Sequence, residues 1–434
     1  MARVVVVGGG LGGTASAARL AKLGHEVMLV ERADRLGGAV GFLERDGYRW
    51  DTGPTATALP AVLRDLFRKS GRPLERELDL VPVEPMREHR FEDGSAVALP
   101  SGSRAAQQQA IDAGLGPGLG DRWLDWTHGF ADTWNLLRRD YLERPYSPDH
   151  VGKETRATLT TRTTLHRAVT RAFKDERLRA LALAGTVLDG HDPRNVPAWA
   201  GMTAYVEQNF GVWTVPGGMG ALAGAMTKRL GERRVDVRLA TTVEDLVVRD
   251  GRATGVVTDG GLLEADLVVC AVDPRRLPAL ASLVRRTMPA LPPVVCHLGL
   301  QGDVPALPHE VVLHGDPLLV VRTGGAAPEG GAAWTVLGRG RLAEDIVTAF
   351  ARRGVDVREQ VRVRVDLSPR DLVETYGGSP YGVLWQGRTT LRHRLGTTTP
   401  VANVFCAGAH AAPGAGVPFV GLSAALVAQA VGKA

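Results

Sequence analysis

The sequence predicts an α/β protein built on a Rossmann-type nucleotide-binding sheet, and three observations carry that prediction. The β-branched run Arg3–Val7 reads as a buried parallel strand. It leads into Gly8-Gly9-Gly10-Leu11-Gly12-Gly13, which contains Gly8-x-Gly10-x-x-Gly13, and then into a helix-like segment over residues 14–23. A second apolar run, residues 27–30, ends at Glu31, 18 residues beyond Gly13. A glycine fingerprint standing alone is weak evidence. Between a strand and a helix, with an acid at that distance, it is specific.

Each part has a physical task. Gly8 permits the tight turn, Gly10 lets backbone approach a pyrophosphate, and Gly13 lets helix and strand pack closely. The helix then presents unpaired N–H groups and its positive dipole end to the phosphates. Glu31 is placed to accept hydrogen bonds from ribose hydroxyls. Just past it, Gly37-Gly38 and then Tyr48-Arg49-Trp50-Asp51-Thr52-Gly53-Pro54 add features that a nicotinamide-binding domain does not need. An extended FAD does need them, because later loops must pass its pyrophosphate and ribityl chain. FAD is therefore the expected cofactor, and no cysteine motif suggests a thioether to it, so the expected binding is non-covalent.

The 434 residues allow two to three domains at ~150 residues each. With 44% hydrophobic and 23% charged residues, a disordered chain is excluded and a sizeable core is available. No run approaches the ~20 apolar residues of a spanning helix. The apolar N-terminal run leads straight into the glycine loop and reads as structural rather than as a signal peptide. Cys270, Cys296 and Cys406 are far apart and form neither a disulfide framework nor metal-ligand spacing. A cytoplasmic location and no metal are expected. Of the 52 cationic residues six are Lys, and the net charge is +5. The Arg are densest over 352–364 and are not interleaved with aromatics, which argues against nucleic acid. Solvated faces explain most of them; a basic surface meeting anionic lipid is the second reading.

Trp123, Trp126, Phe130, Trp134, Leu137 and Tyr141 recur every three or four residues, one face of a helix. A core stripe is the first reading and an aromatic wall for an apolar ligand the second. From residue 235 short strands follow, over 235–239, 243–248 and 255–258, with Asp250-Gly251 as a hairpin signal. Residues 267–272 read as a buried run that re-enters the nucleotide sheet. Ser368 and Pro369 mark a helix start. Near the C-terminus a strand over 404–407, Gly408, the tight loop 414–418 and a helix over 420–431 would bring a second helix N-terminus to the cofactor.

The run from Gly8 through Pro54 resembles the bacterial phytoene desaturase family, within the amine-oxidase-like FAD superfamily. The resemblance continues at Leu80-Val81-Pro82-Val83, at Phe91-Glu92-Asp93-Gly94 and at Phe210-Gly211-Val212-Trp213. It returns at Pro216-Gly217-Gly218-Met219-Gly220, and closes with Cys406-Ala407-Gly408 and Pro413-Gly414-Ala415-Gly416-Val417-Pro418. It implies a Rossmann-type FAD-binding domain of the GR2-like kind over 1–80, 205–275 and 395–434. A discontinuous α+β substrate-binding domain would take 81–204 and 276–394. Carried over residue by residue, FAD contacts fall on Gly8, Gly10, Leu11, Gly12, Gly13, Glu31, Arg32, Gly37, Gly38, Val243 (backbone to adenine), Gly408, Gly416, Val417 and Pro418. Two positions depart from the pattern. Ala39 stands where an Arg or Lys is usual, which turns attention to Arg32 and Arg35. Ala412 stands where a His is usual, and His410 is the nearby imidazole, a candidate proton acceptor.

The implied activity is dehydrogenation of an apolar, isoprenoid or carotenoid-type substrate, with hydride passing to flavin N5. An amine or porphyrinogen oxidase, and a non-redox polyene isomerase, are the alternatives. Collecting such a substrate implies weak peripheral contact with the anionic inner face of the membrane, with the 123–141 stripe and the 352–364 stretch as candidates.

Overall fold

The computed structural model describes every residue of the chain apart from Pro148 and His150. Five parallel strands form one sheet in the order Asp236–Arg238, Glu26–Val30, Arg3–Val7, Leu267–Cys270, Val404–Cys406. The central strand is apolar without alternation because both of its faces are covered, and Val4 to Val7 are buried. One face packs against the helices Leu11–Lys22, Pro60–Ser70, Ala221–Glu232 and Val417–Val431. The other packs against the antiparallel strands Val243–Arg249, Arg252–Thr258 and Gly261–Glu264 and the short helix Pro278–Ala281.

A second sheet has seven strands, ordered Val361–Leu367, Val294–Gln301, Gly331–Arg339, Leu318–Gly325, Glu310–Leu313, Arg87–Arg90, Ala96–Leu99. Neighbours run antiparallel except at the junction of Glu310–Leu313 with Arg87–Arg90. The helices from Arg104–Leu115 to Met202–Phe210 share a separate apolar cluster. The boundary expected at 205 cuts the helix Met202–Phe210, whose Met202 and Val206 pack within that cluster, so the whole helix goes with the second unit. The hairpin Phe42–Arg45/Tyr48–Asp51 ties the two sheets, with Trp50 Nε1 donating to the Leu298 carbonyl at 3.1 Å.

The aromatic stripe is not one helix face. It is broken into Leu119–His128, Ala131–Leu137 and a π-helical turn Arg138–Leu142, and Trp123, Trp134, Leu137 and Tyr141 are buried. That corrects its candidacy as a membrane anchor: burial leaves little of it to offer a bilayer. The basic stretch is also corrected. Arg352 pairs with Glu344 at 3.1 Å, Arg353 with Glu92 at 3.4 Å, Arg358 with Asp356 at 2.6 Å and Arg364 with Asp366 at 2.8 Å. Its cations are largely neutralised locally. The helix expected at Ser368 is there, with Ser368 and Asp371 forming a reciprocal capping box and Pro369 in the first turn. Among the described residues no helix is long and apolar enough to cross a membrane.

Candidate active site

One cavity of about 1280 Å³ runs from the glycine loop of the parallel sheet to the face of the seven-stranded sheet. At the first end Gly8, at φ +101°, turns the chain off its strand and donates to the Val30 carbonyl at 2.8 Å. A Cβ on Gly13 would stand 1.8 Å from the Gly8 carbonyl oxygen, so helix and strand touch there only because Gly13 lacks a side chain. Gly10 caps the helix Leu11–Lys22, and a Cβ there would meet nothing within 4 Å, because it faces the open cavity. No side chain caps this helix N-terminus, and its first N–H groups have no partner in the preceding turn.

The Glu31 carboxylate accepts from the Gly9 N–H at 2.6 Å and the Ala33 N–H at 2.8 Å. It braces the glycine loop as well as lining the cavity. The second glycine pair closes over the first: Gly37 donates to the Gly9 carbonyl at 2.9 Å, and a Cβ on Gly38 would stand 3.1 Å from the Gly10 Cα. Asp51 accepts from the Gly220 N–H at 2.7 Å and the Met219 N–H at 3.1 Å, joining the Asp-Thr-Gly-Pro segment to the Pro-Gly-Gly-Met-Gly loop. At the C-terminal end, Gly408 and Gly416 take positive φ and line the cavity, as does Val417, the first residue of the helix Val417–Val431. This helix N-terminus also lacks a side-chain cap.

His410 lines the same cavity, with 7% of its surface exposed. Its Nδ1 lies 3.8 Å from Asp273 Oδ1 and makes no hydrogen bond. Burial lowers its pKa, against the pull of Asp273, so the imidazole is neutral at neutral pH. Among the described residues no group of three or more His, Cys, Asp or Glu is placed to hold a metal ion.

A family model for flavin containing amine oxidoreductases matches residues 11–432. The chain belongs to that family. It is 27% identical to the 4,4'-diapolycopene oxygenase of a Methylomonas species, covering 98% of this chain and 97% of the relative. It is 29% identical to the zeta-carotene-forming phytoene desaturase of Myxococcus xanthus, covering 98% and 93%. Wild-type putrescine oxidase bound to putrescine has the same fold, with a TM-score of 0.68 over 99% of this chain and 98% of that one, at 17% identity.

As a flavin-dependent oxidoreductase, the chain has residues that fit a dinucleotide flavin. The two uncapped helix N-termini open on one cavity, and a side-chain-free strip of Gly8, Gly10, Gly12, Gly37 and Gly38 connects to them. Four expected contacts are placed differently. Gly13 is off the cavity wall, packed against the Gly8 carbonyl where helix meets strand. Val243 is outside the cavity wall, because it opens a strand registered against Thr258 in the three-stranded layer behind the sheet. Pro418 is also off the wall, as the second residue of its helix. Arg32 reaches the wall, but its guanidinium donates to the Glu374 and Thr375 carbonyls at the end of the helix Pro369–Tyr376. Arg35 also lines the cavity, in a chain that has Ala39 after its second glycine pair.

Trp123, Tyr141, Trp199, Trp385 and Phe419 also line the cavity of this flavin oxidoreductase. Trp199 and Trp385 meet edge to face at 5.6 Å, and the Arg394 guanidinium stands over Trp385 at 5.0 Å. Arg87, Glu207 and Arg322 on the cavity wall form a half-buried chain of charges around the buried Glu310, which sequence reading missed. Arg87 pairs with Glu207 at 3.3 Å and with Glu310, and Arg322 pairs with Glu310 at 2.8 Å. Arg322 also donates to the Gly53 carbonyl at 3.4 Å. Desolvation works against ionising Glu310, but the flanking Arg87 and Arg322 outweigh it and hold the carboxyl well below its usual range. No local motif announces these residues, since they come from separate strands and helices.

Proposed function

We propose that this chain is an FAD-dependent dehydrogenase of an apolar, isoprenoid-type substrate. The observation that carries the reading is the single cavity in which a glycine-lined phosphate cradle is continuous with an aromatic wall. Bound FAD supplies the two-electron oxidation. The chain's own residues hold the pyrophosphate at the helix N-terminus after Gly10, brace that loop through Glu31, and keep water from the reacting carbon with Trp199, Trp385 and Phe419. The neutral His410 imidazole is the proposed acceptor of the proton lost with the hydride. Non-covalent binding is supported by the cysteines: Cys270, Cys296 and Cys406 are buried and off the cavity wall.

The division of labour follows the sheets. Residues 1–80, the segment from about 211 to 284, and 395–434 hold the nucleotide, because Leu277, Leu280 and Val284 pack on the parallel sheet and carry the boundary expected at 275 past them; 81–210 and 285–394 hold the substrate. A cytoplasmic protein touching the inner face of the membrane suits a water-insoluble substrate. The supporting surface is the loop with Met288 and Leu291, 53% and 61% exposed, beside the exposed Arg285 and Arg286.

The test is direct. Heat-denatured protein should release FAD, and reduction of the holoenzyme by an acyclic isoprenoid polyene should give a product lighter by two hydrogens. Hydrogen peroxide formed from an amine or a porphyrinogen instead would support the oxidase alternatives. A polyene product of unchanged mass would support isomerisation.

A further inference from the structure

Asp189 follows the helix Glu176–Leu188 and lines the cavity. Among the described residues it has no hydrogen-bond or ion-pair partner, although Glu207, Glu310 and the neighbouring guanidiniums are all paired or tied to backbone. Desolvation pushes its carboxyl up to about 6, against the pull of Arg322 and Arg339. The side chain nevertheless keeps accessible surface, because that surface opens on the cavity. Here is an exposed acceptor on the cavity wall with no protein partner, left for something inside the cavity to satisfy.

We infer that the substrate of this site carries a hydroxyl group, and that Asp189 accepts its hydrogen bond. The inference rests on the isoprenoid reading above and adds to it. A pure hydrocarbon filling the cavity would strip water from Asp189 and return no partner, which is costly for a polar group. An ammonium would face Arg322 and Arg339, the cations whose fields reach this carboxylate. A carboxylate would be repelled by Asp189 itself. A hydroxyl donates to the acid and still accepts from a donor. Tyr381, on the same wall and within the field of Asp189, remains a phenol at neutral pH and can supply that donor. A site built around a polar group rejects the analogue that lacks it more strongly than an apolar pocket rejects an added methylene.

The experiment uses the holoenzyme and two probes of equal carbon count, an acyclic polyene hydrocarbon and its monohydroxylated derivative, in matched detergent micelles. Binding is read from quenching of tryptophan fluorescence, since Trp123, Trp199 and Trp385 line the cavity. The expected result is at least ten-fold tighter binding of the hydroxylated probe by the wild type. Asp189→Leu should abolish that preference and Asp189→Asn should reduce it several-fold. Equal binding of the two probes by the wild type would overturn the inference, as would a preference that survives in Asp189→Leu, or that is undiminished in Asp189→Asn, with the flavin retained. If neither polyene quenches while an aliphatic amine does, the isoprenoid reading falls and the inference with it.

Discussion

A Cβ on Gly12 would stand 2.7 Å from the Gly408 Cα and 2.8 Å from the Gly408 nitrogen. The first helix and the last strand's loop therefore meet backbone to backbone, and the Gly408 N–H is held by Ser423 Oγ at 2.8 Å. This contact sets the spacing between the two helix N-termini that open on the cavity.

Gly12→Ala should destabilise the protein, since the neighbour it meets is backbone and cannot rotate away. Overpacking of this kind costs roughly 1–3 kcal/mol. Thermal unfolding with and without FAD should show a lowered midpoint in both states, and a larger loss with FAD present. An unchanged midpoint would mean the two segments can separate freely.

Glu31→Ala should weaken FAD binding for two reasons. It removes the acid expected to meet the ribose, and it releases the Gly9 and Ala33 N–H groups that the carboxylate now holds. Hydrogen bonds to a charged group are worth about 1.5–3 kcal/mol each. Flavin titration should give a dissociation constant raised at least ten-fold, and the flavin-free variant should also unfold at lower temperature. Loss of affinity without loss of apo stability would confine Glu31 to the ribose.

Breaking the charge chain at the buried Glu310 should be severe. Glu310→Gln leaves Arg87 and Arg322 facing each other without their shared acid, and loss of one partner of a buried pair costs about 3–5 kcal/mol. Since the folded state holds Glu310 below its ordinary range, this stabilisation is present above the unfolded carboxyl pKa and is lost as pH falls below it. Urea unfolding at pH 7 and at pH 4 should show a smaller difference between variant and wild type at the lower pH.

Asp189 has the opposite sign. Its folded pKa is raised, so its stabilising contribution is full below the unfolded value near ~3.9 and disappears as pH rises through about 6. Asp189→Asn should therefore raise the thermal midpoint at pH 7.5 and change it little at pH 4. A variant that is less stable than the wild type at pH 7.5 would show that the carboxylate has a partner.

His410 should make stability fall on mild acidification. Burial depresses its pKa, so below the ordinary value near ~6.5 the unfolded chain takes up a proton that the folded one does not. His410→Gln should flatten the stability profile between pH 6.5 and 5. A profile as steep as that of the wild type would assign the slope to other groups.

The bracing of the glycine loop by Glu31 came from the structure, whereas the sequence alone determined the parallel sheet, the turn at Gly8 and the C-terminal return at Gly408. These features are legible because each is a local geometry that only certain residues permit: a positive φ, a strand buried on both faces, a close approach without a Cβ. Ser368 and Pro369 announced their helix for the same reason. Tertiary structure alone decided the rest. A period of three or four marked the residues from Trp123 to Tyr141 as apolar on one side, but not that the chain breaks at Gly129 and Phe130 and buries most of the stripe. Arg352 to Arg364 read as a basic patch because the acids that neutralise several of them, Glu92, Glu344 and Asp345, lie elsewhere in the chain. Arg87, Asp189, Glu207, Glu310 and Arg322 carry no local signature, since their ionisation and pairing depend on which strands the fold sets side by side. Backbone constraints are written in neighbouring residues, whereas desolvation and charge pairing belong to the three-dimensional surroundings.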